Sequence, residues 1–351
     1  MELFLLLLKY VGLAMVVVYA SITVGTLVDE FDNRTNLSGA FIGGLLLAAV
    51  TSLPEFITSI TSTVTYGKPG LAFGNIFGSN IFNLLILAIM DIIFVRKLIY
   101  SKISQISTAN RLSILIYFLI LIPFITNSFM SNGLFGVEFD ISFLNIITNV
   151  QVFGFSILSL GIIVVYLISA RTLSETDTDG AVEQETKYNK YKTATVSFMF
   201  VFWALVLVGA AIFITGTTNE IAELTGLNAS LAGALFLGIA TSLPELTTCY
   251  TLIRLGNYDA AAGGIVGSNI FNFTIIVVVD LLVKANIIDV IVNNPQISDN
   301  AFILLILGLI NSIILMLALF RKKKFANKLV YLVPSLLIVT NYVFYLIISF
   351  I

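Results

Sequence analysis

The chain has 351 residues, of which 58% are hydrophobic and only 11% are charged, and its formal net charge at pH 7 is −2. Soluble domains carry about 25% charged residues, so this composition indicates a membrane protein with many spans. The sequence has no histidine and one cysteine, Cys249. These counts exclude Ser-His and Cys-His catalysis, histidine zinc sites and a disulfide framework. An ion site must therefore be built from oxygen atoms, which suit hard cations such as Ca2+, Na+ or Mg2+.

Apolar runs of about 20 residues predict ten membrane-spanning helices. They lie at approximately 3–28, 39–65, 70–95, 112–129, 151–170, 195–216, 229–253, 259–283, 300–320 and 327–350. The long polar stretch near the middle divides them into five and five. We therefore predict an all-α polytopic membrane protein with a first five-helix repeat at 1–170, a short acidic and basic linker at 171–194, and a second repeat at 195–351.

Charge in the predicted loops sets the expected orientation. Fifteen of the eighteen basic residues fall in the loops after predicted helices 1, 3, 5, 7 and 9, and only Lys9, Lys68 and Lys284 fall on the other side. Basic loops remain on the cytoplasmic side of a membrane. We therefore expect both termini to be extracellular and the linker to be cytoplasmic.

Two motifs occur twice in matching order. The residues Thr-Ser-Leu-Pro-Glu at 51–55 recur at 241–245, and Gly-Ser-Asn-Ile-Phe-Asn at 78–83 recurs at 267–272. The two offsets, 190 and 189 positions, agree to within one residue. Because five helices is an odd number, the second copy is expected to enter the membrane from the opposite face. Such inverted repeats are typical of secondary transporters, whose site lies near the midplane between the repeats.

Each Thr-Ser-Leu-Pro-Glu motif gathers oxygen atoms on one helical face. A carboxylate inside a membrane span is costly and marks a functional site. Proline has no N–H, so the carbonyl four positions earlier loses its helical partner, and the threonine four positions before the glutamate shares its face. This is a ligand set for a hard cation, although such hydroxyls also bond back to their own helix. The residues are Val50, Thr51, Pro54 and Glu55, and Ala240, Thr241, Pro244 and Glu245.

The second motif places a serine and an asparagine on one face, as Ser79 with Asn83 and as Ser268 with Asn272. The alternative role for these asparagines is an interhelical hydrogen bond, and we expect a structural role for Asn80 and Asn269. The glycine pairs Gly74 with Gly78 and Gly263 with Gly267 have the spacing that lets membrane helices approach closely. This spacing could press predicted helices 3 and 8 against helices 2 and 7.

Two more acidic residues obey the repeat. Asp91 and Asp280 each stand eight positions after the last asparagine of the motif. We expect them to be solvated charges at helix ends, with Lys284 as a partner of Asp280. The alternative is that they form acidic mouths of an ion pathway.

Two glutamates facing one cavity present a charge of −2. One Ca2+, which takes six to eight oxygen ligands, neutralises this charge, and two or three Na+ could occupy the same oxygens instead. Competition of the two ions for one site, combined with alternating access, is antiport.

These motifs resemble the α-repeats of the cation/calcium antiporter superfamily. Within this superfamily they resemble those of the sodium/calcium exchanger branch. The resemblance covers about residues 40–95 and 230–283. It implies sodium-driven, electrogenic calcium export through a site formed by the two glutamates and nearby oxygens. The residues that it implicates are Thr51, Glu55, Ser79, Asn83, Thr241, Glu245, Ser268 and Asn272, with backbone oxygens of Ala48 and Gly238.

The resemblance and the residues leave other readings open. Some relatives, including potassium-dependent exchangers, carry Asp in place of Asn272, which argues against potassium co-transport here. A proton/calcium antiporter is the nearest alternative, since both glutamates can bind protons, and a calcium channel or an intramembrane hydrolase are further ones. We expect Ca2+ and Na+ as transported ions and no cofactor, enzymatic activity or nucleic-acid partner. We also expect a functional monomer in the lipid bilayer of a prokaryotic cell membrane.

Overall fold

Long apolar helices make up most of the chain in the computed structural model. It describes residues 1–35, 51–103, 106–132, 151–152, 155–174, 188–283, 287–320 and 328–349. Ala48, Lys284 and the first part of the second predicted span lie outside the described residues, so the expectations for them are not tested.

The first half of the chain contains six described helices and one pair of very short strands. Helix α2 continues as a π-helix over Thr61–Thr65. The elements are α1 (Glu2–Thr35), α2 (Leu53–Ile60), α3 (Pro69–Ile93), α4 (Ile99–Lys102), α5 (Ser107–Asn132), β1 (Gln151–Val152), β2 (Phe155–Ser156) and α6 (Ile157–Ser174).

Every described secondary-structure element of the second half is a helix. A π-helix, Gly233–Leu237, connects α8 to α9. The helices are α7 (Thr193–Thr225), α8 (Ala229–Ala232), α9 (Gly238–Thr241), α10 (Leu243–Leu255), α11 (Tyr258–Val283), α12 (Ile287–Val292), α13 (Pro295–Phe320) and α14 (Lys328–Ser349).

The prediction of a helical, polytopic membrane protein is confirmed. Among the described residues, seven helices are long and apolar enough to cross a membrane, and the bent pair 229–241 and 243–255 brings the number to eight. The ten-helix layout stays a prediction. The fifth predicted span starts later than expected, because β1 and β2 form an antiparallel strand pair before it. The Ser156 hydroxyl then accepts the Ser159 backbone N–H at 3.0 Å, which is an N-cap that starts α6 at Ile157.

Helices α3 and α11 form the buried centre, whereas α1 and α7 present apolar side chains outward. Helices α1 and α7 run antiparallel. Near one end Lys9 lies 3.6 Å from Glu220, and near the other Arg34 donates to the Thr193 hydroxyl at 3.0 Å. An apolar outer surface of this kind suits lipid rather than water.

Each glutamate motif interrupts its helix at the serine, as the prolines predict. Ser52 has φ −92° and ψ 11°, and Ser242 has φ −90° and ψ 2°, both outside helical geometry. In the second copy the helix axis bends by 43° at this point. Pro54 and Pro244 stand in the first turn of the helix that follows, where the missing N–H costs no hydrogen bond.

Glycines on α3 let it approach the other half of the chain closely. A Cβ on Gly74 would collide with the carbonyl oxygen of Ser230, and one on Gly78 would collide with Ala234. The close contact predicted from glycine spacing is therefore present, and it joins α3 to the 229–241 segment. A Cβ on Gly263 would meet no atom within 4 Å. Within the described residues, Gly263 is therefore not at a close approach between helices.

The expectation that Asp91 and Asp280 are solvated helix-end charges is wrong. Their exposed fractions are 0% and 4%. Asp91 accepts hydrogen bonds from the hydroxyls of Tyr331 at 2.5 Å and Ser335 at 2.7 Å, both on α14. Asp280 accepts from the Ser159 hydroxyl at 2.6 Å and from the Ile287 backbone N–H at 2.8 Å. Both carboxylates therefore join helices that are distant in sequence.

We predict that Gly74→Ala destabilises the protein, because the new methyl group must displace backbone rather than a flexible side chain. Overpacking of this kind costs about 1–3 kcal/mol. Thermal unfolding of the purified protein in detergent measures the loss as a lower Tm. The control is Gly209→Ala on α7, where a Cβ would meet no atom within 4 Å. Equal Tm values for the two variants would contradict the described contact.

Candidate ion-binding site

Glu55 and Glu245 occupy matching places in the interior. Each stands in the first turn of the half-helix that follows its broken serine, Glu55 on α2 and Glu245 on α10. Their exposed fractions are 0% and 4%. Ser242, three positions before Glu245, contacts the Glu55 carboxylate, so the two motifs meet in the interior. Both therefore face one buried region, as the repeated motifs predict.

Each carboxylate has a serine hydroxyl at the edge of hydrogen-bonding range. Ser242 Oγ donates to Glu55 Oε1 at 3.4 Å, and Ser268 Oγ donates to Glu245 Oε1 at 3.3 Å. Ordinary O–H···O hydrogen bonds are 2.5–3.0 Å long, and shorter still to an ionised oxygen. Neither contact therefore satisfies its carboxylate fully.

Threonine and serine hydroxyls pair across the two halves of the chain. Thr51 Oγ1 lies 3.3 Å from Ser268 Oγ, and Ser79 Oγ lies 3.3 Å from Thr241 Oγ1. Each pair joins the first motif of one copy to the second motif of the other. Ser79 also donates to the carbonyl oxygen of Gly238 at 3.2 Å. Ser268 of the first pair also contacts Glu245, so these oxygens lie beside the carboxylates.

Four buried asparagines form a reciprocal set of hydrogen bonds between α3 and α11. Asn80 Nδ2 donates to the backbone carbonyl of Asn269 at 3.3 Å, and Asn269 Nδ2 donates to that of Asn80 at 3.1 Å. The side-chain oxygens of this pair are acceptors. Asn83 Nδ2 donates to Asn269 Oδ1 at 2.9 Å, and Asn272 Nδ2 donates to Asn80 Oδ1 at 3.0 Å.

Four side-chain oxygens at repeat-related positions have no hydrogen-bond partner within the described ranges. They are Glu55 Oε2, Glu245 Oε2, Asn83 Oδ1 and Asn272 Oδ1. A buried acceptor without a partner costs about 1–3 kcal/mol, and a charged one more. Two carboxylate and two amide oxygens of this kind are the ligands that Ca2+ and Na+ accept. Their chemistry therefore fits a hard cation.

All predicted ligand residues other than Ala48 fall in this region. Two neighbours of the site were not among the predicted ligands. Ser242 was one of them, although it contacts Glu55. The other is Asn75, whose Nδ2 donates to the Glu55 backbone carbonyl at 3.1 Å and whose Oδ1 lies 3.4 Å from Thr241 Oγ1. The position equivalent to Asn75 in the second copy is Gly264, so the recurrence of the motifs does not point to Asn75.

The described chain is thus a multi-pass helical membrane protein with a buried, histidine-free site of carboxylate, amide and hydroxyl oxygens. It matches the family described as "Sodium/calcium exchanger protein" over residues 4–170 and 195–351. The chain belongs to this family, within the sodium/calcium exchanger branch of the cation/calcium antiporter superfamily. The resemblance seen in the sequence motifs is therefore confirmed.

Proteins that are similar to this chain over most of its length include one curated relative and two solved structures. Inner membrane protein YrbG of Escherichia coli (strain K12) is 25% identical over 252 residues, which are 71% of this chain and 70% of the relative. The H+/Ca2+ exchanger CAX has a TM-score of 0.62 at 17% identity and covers 98% of this chain and 90% of its own. The sodium-calcium exchanger NCX_Mj has a TM-score of 0.51 at 20% identity and covers 97% and 98%. These two structures show a shared fold.

We predict that Asn272→Asp shifts the ratio of Ca2+ to Na+ affinity toward Ca2+ by about tenfold. A third negative charge attracts a divalent ion about twice as strongly as a monovalent one. The ionised Asp also cannot donate to Asn80 Oδ1 as Asn272 does. Calorimetric titration of the purified protein with each ion measures the ratio. The control is Asn189→Asp, the same charge change at an exposed residue, and an equal response of both variants would place Asn272 outside the site.

Proposed function

We propose that this protein is a secondary active antiporter that exchanges Na+ for Ca2+ by alternating access. The observation that carries the proposal is the set of four buried oxygens without hydrogen-bond partners, on Glu55, Glu245, Asn83 and Asn272. Acceptors of this kind are stabilised when a cation supplies the missing interaction. Their matching positions in the two copies of the motifs favour one shared site over two separate ones.

The charge of the site suits exchange of these two ions. The two ionised glutamates are balanced by one Ca2+, and the surrounding hydroxyl and carbonyl oxygens raise the number of ligands toward the six to eight that Ca2+ takes. Several Na+ can use the same oxygens in its place. The proposed ligands are Ala48, Thr51, Glu55, Ser79, Asn83, Gly238, Thr241, Glu245, Ser268 and Asn272, with Ala48 and Gly238 contributing backbone oxygens.

We further propose ten spans in two inverted five-helix repeats, with the division at 171–194 and both termini extracellular. The antiparallel packing of α1 and α7 supports the inversion, since these are the first helices of the two halves. Two polar contacts also join groups that the proposed topology places on the same side of the membrane. Lys68 pairs with Glu223 at 3.2 Å on the proposed outer side, and Lys97 donates to the Ile253 carbonyl at 2.9 Å on the cytoplasmic side.

Sodium is favoured over the proton as the coupling ion by the number of neutral oxygens around the glutamates. Protons need only the carboxylates, whereas Na+ needs several ligands for each ion. If three Na+ replace one Ca2+, one net charge moves per cycle, worth about 2.3 kcal/mol per 100 mV. Proton-coupled calcium exchange is the second candidate, because the H+/Ca2+ exchanger CAX shares the fold and two carboxylates can carry two protons.

Calcium uptake into liposomes separates the two candidates. The purified protein is reconstituted with internal Na+ and diluted into sodium-free buffer that contains radioactive Ca2+, with internal choline as the control. We expect uptake only with internal Na+. Uptake that follows a pH gradient and ignores Na+ would instead establish proton coupling. Uptake without any counter-ion would indicate a channel.

We predict that Glu55→Gln and Glu245→Gln each lower calcium uptake at least a hundredfold, while the protein stays folded. Each change removes half of the charge that balances Ca2+, and losing a buried charge pair costs about 3–5 kcal/mol. The same liposome assay measures the flux. Glu220→Gln is the matched control, because Glu220 is exposed and pairs with Lys9 at the surface. Normal flux in a folded variant of either buried glutamate would refute the proposed site.

A further inference from the structure

The orientation of the two ligand amides depends on a second pair of asparagines. Asn80 and Asn269 use both ends of their side-chain amides, since each donates to a backbone carbonyl and accepts from the other helix. A flip of either amide would set N–H against N–H and oxygen against a carbonyl oxygen. Their orientation is therefore fixed by the backbone of α3 and α11.

This fixed pair determines what Asn83 and Asn272 present to the site. Their Nδ2 groups are held by Asn269 Oδ1 and Asn80 Oδ1, so their own Oδ1 atoms point away from these contacts and have no partner among the described residues. With the amides reversed, each would present an N–H donor, which repels a cation. All four side chains are buried, with exposed fractions of 2% or less.

We propose that Asn80 and Asn269 are positioning residues, each of which keeps the ligand oxygen of the opposite half turned toward the cation. Asn80 acts on Asn272, 192 positions away, and not on Asn83, three positions away on its own helix. Asn269 acts on Asn83 in the same manner. This inference rests on the proposed function, because it assigns Asn83 and Asn272 to the cation.

The arrangement has a consequence for transport. Each ligand amide lies on one half of the chain and its orienting acceptor lies on the other. Relative movement of α3 and α11 would loosen the hydrogen bonds and the amide orientation together. Affinity for the ion is thus tied to the contact between the two halves.

The test is a double-mutant cycle read by Ca2+ affinity, measured by calorimetric titration of the purified full chain. Asn80→Ala should weaken Ca2+ binding about tenfold, the equivalent of one hydrogen bond to a ligand group. In the Asn272→Ala background the same change should have no further effect, because no amide remains to be oriented. In the Asn83→Ala background it should keep its full effect.

The outcomes separate this inference from simple packing. A residue that only packs the helices would weaken binding equally in all three backgrounds, and that result would overturn the proposal, as would no weakening at all. If Asn80→Ala does not fold, the mirror cycle decides, with Asn269→Ala tested in the Asn83→Ala and Asn272→Ala backgrounds. Failure of both alanine variants to fold would show that the amides hold the helices together and would also overturn it.

The wild-type titration distinguishes failure of this inference from failure of the proposed function. If the wild-type protein binds neither Ca2+ nor Na+, the proposed function falls and this inference falls with it. If the wild-type protein binds Ca2+, loses it with Glu55→Gln, and shows no coupling between Asn80 and Asn272, only the inference is overturned.

Discussion

Two carboxylates lie near each other in the apolar interior of the helices, and the arrangement around them follows from the cost of that placement. A carboxylate in this environment requires a counter-charge or takes up a proton. The serine hydroxyls that reach Glu55 and Glu245 do so at 3.4 and 3.3 Å, which leaves most of the charge unbalanced by the chain itself. The proposed cargo supplies the balance, and this makes release of one ion without entry of another unfavourable. Obligatory exchange is the expected result of such a site.

Interrupted helices and their close approach bring oxygen atoms together in the interior of this protein. The breaks at Ser52 and Ser242 place each glutamate in the first turn of a new half-helix. The glycines of α3 bring its backbone against 229–241 of the other half, so the hydroxyl of Ser79 reaches the carbonyl of Gly238. Neither half supplies the site alone, because Glu55 contacts Ser242 of the other half, and the amides of Asn83 and Asn272 are each held by an asparagine of the other half.

The recurrence of two motifs predicted much of the site because it reports chemistry that both halves need. Proline chemistry predicted the interruption of both helices, and spacing predicted which side chains share a face. Recurrence could not predict the contact of Asn75 with the site, since its equivalent in the second copy is Gly264. The same reasoning could not predict the environment of Asp91, because the hydroxyls that satisfy it belong to Tyr331 and Ser335, 240 and 244 positions away. Contacts between distant helices depend on packing, which a single sequence does not specify.

Burial alone does not separate the carboxylates that we assign to ions from those that hold helices together. Asp91 is as buried as Glu55, yet each of its oxygens accepts a hydrogen bond of 2.7 Å or less from α14, and Asp280 is likewise satisfied on both oxygens. Each glutamate instead has one oxygen with a long contact and one with no partner in the described ranges. A carboxylate that the fold satisfies stabilises the fold, and one that it leaves incomplete is available to a ligand. Completeness of hydrogen bonding is therefore the criterion that assigns the two pairs to different roles.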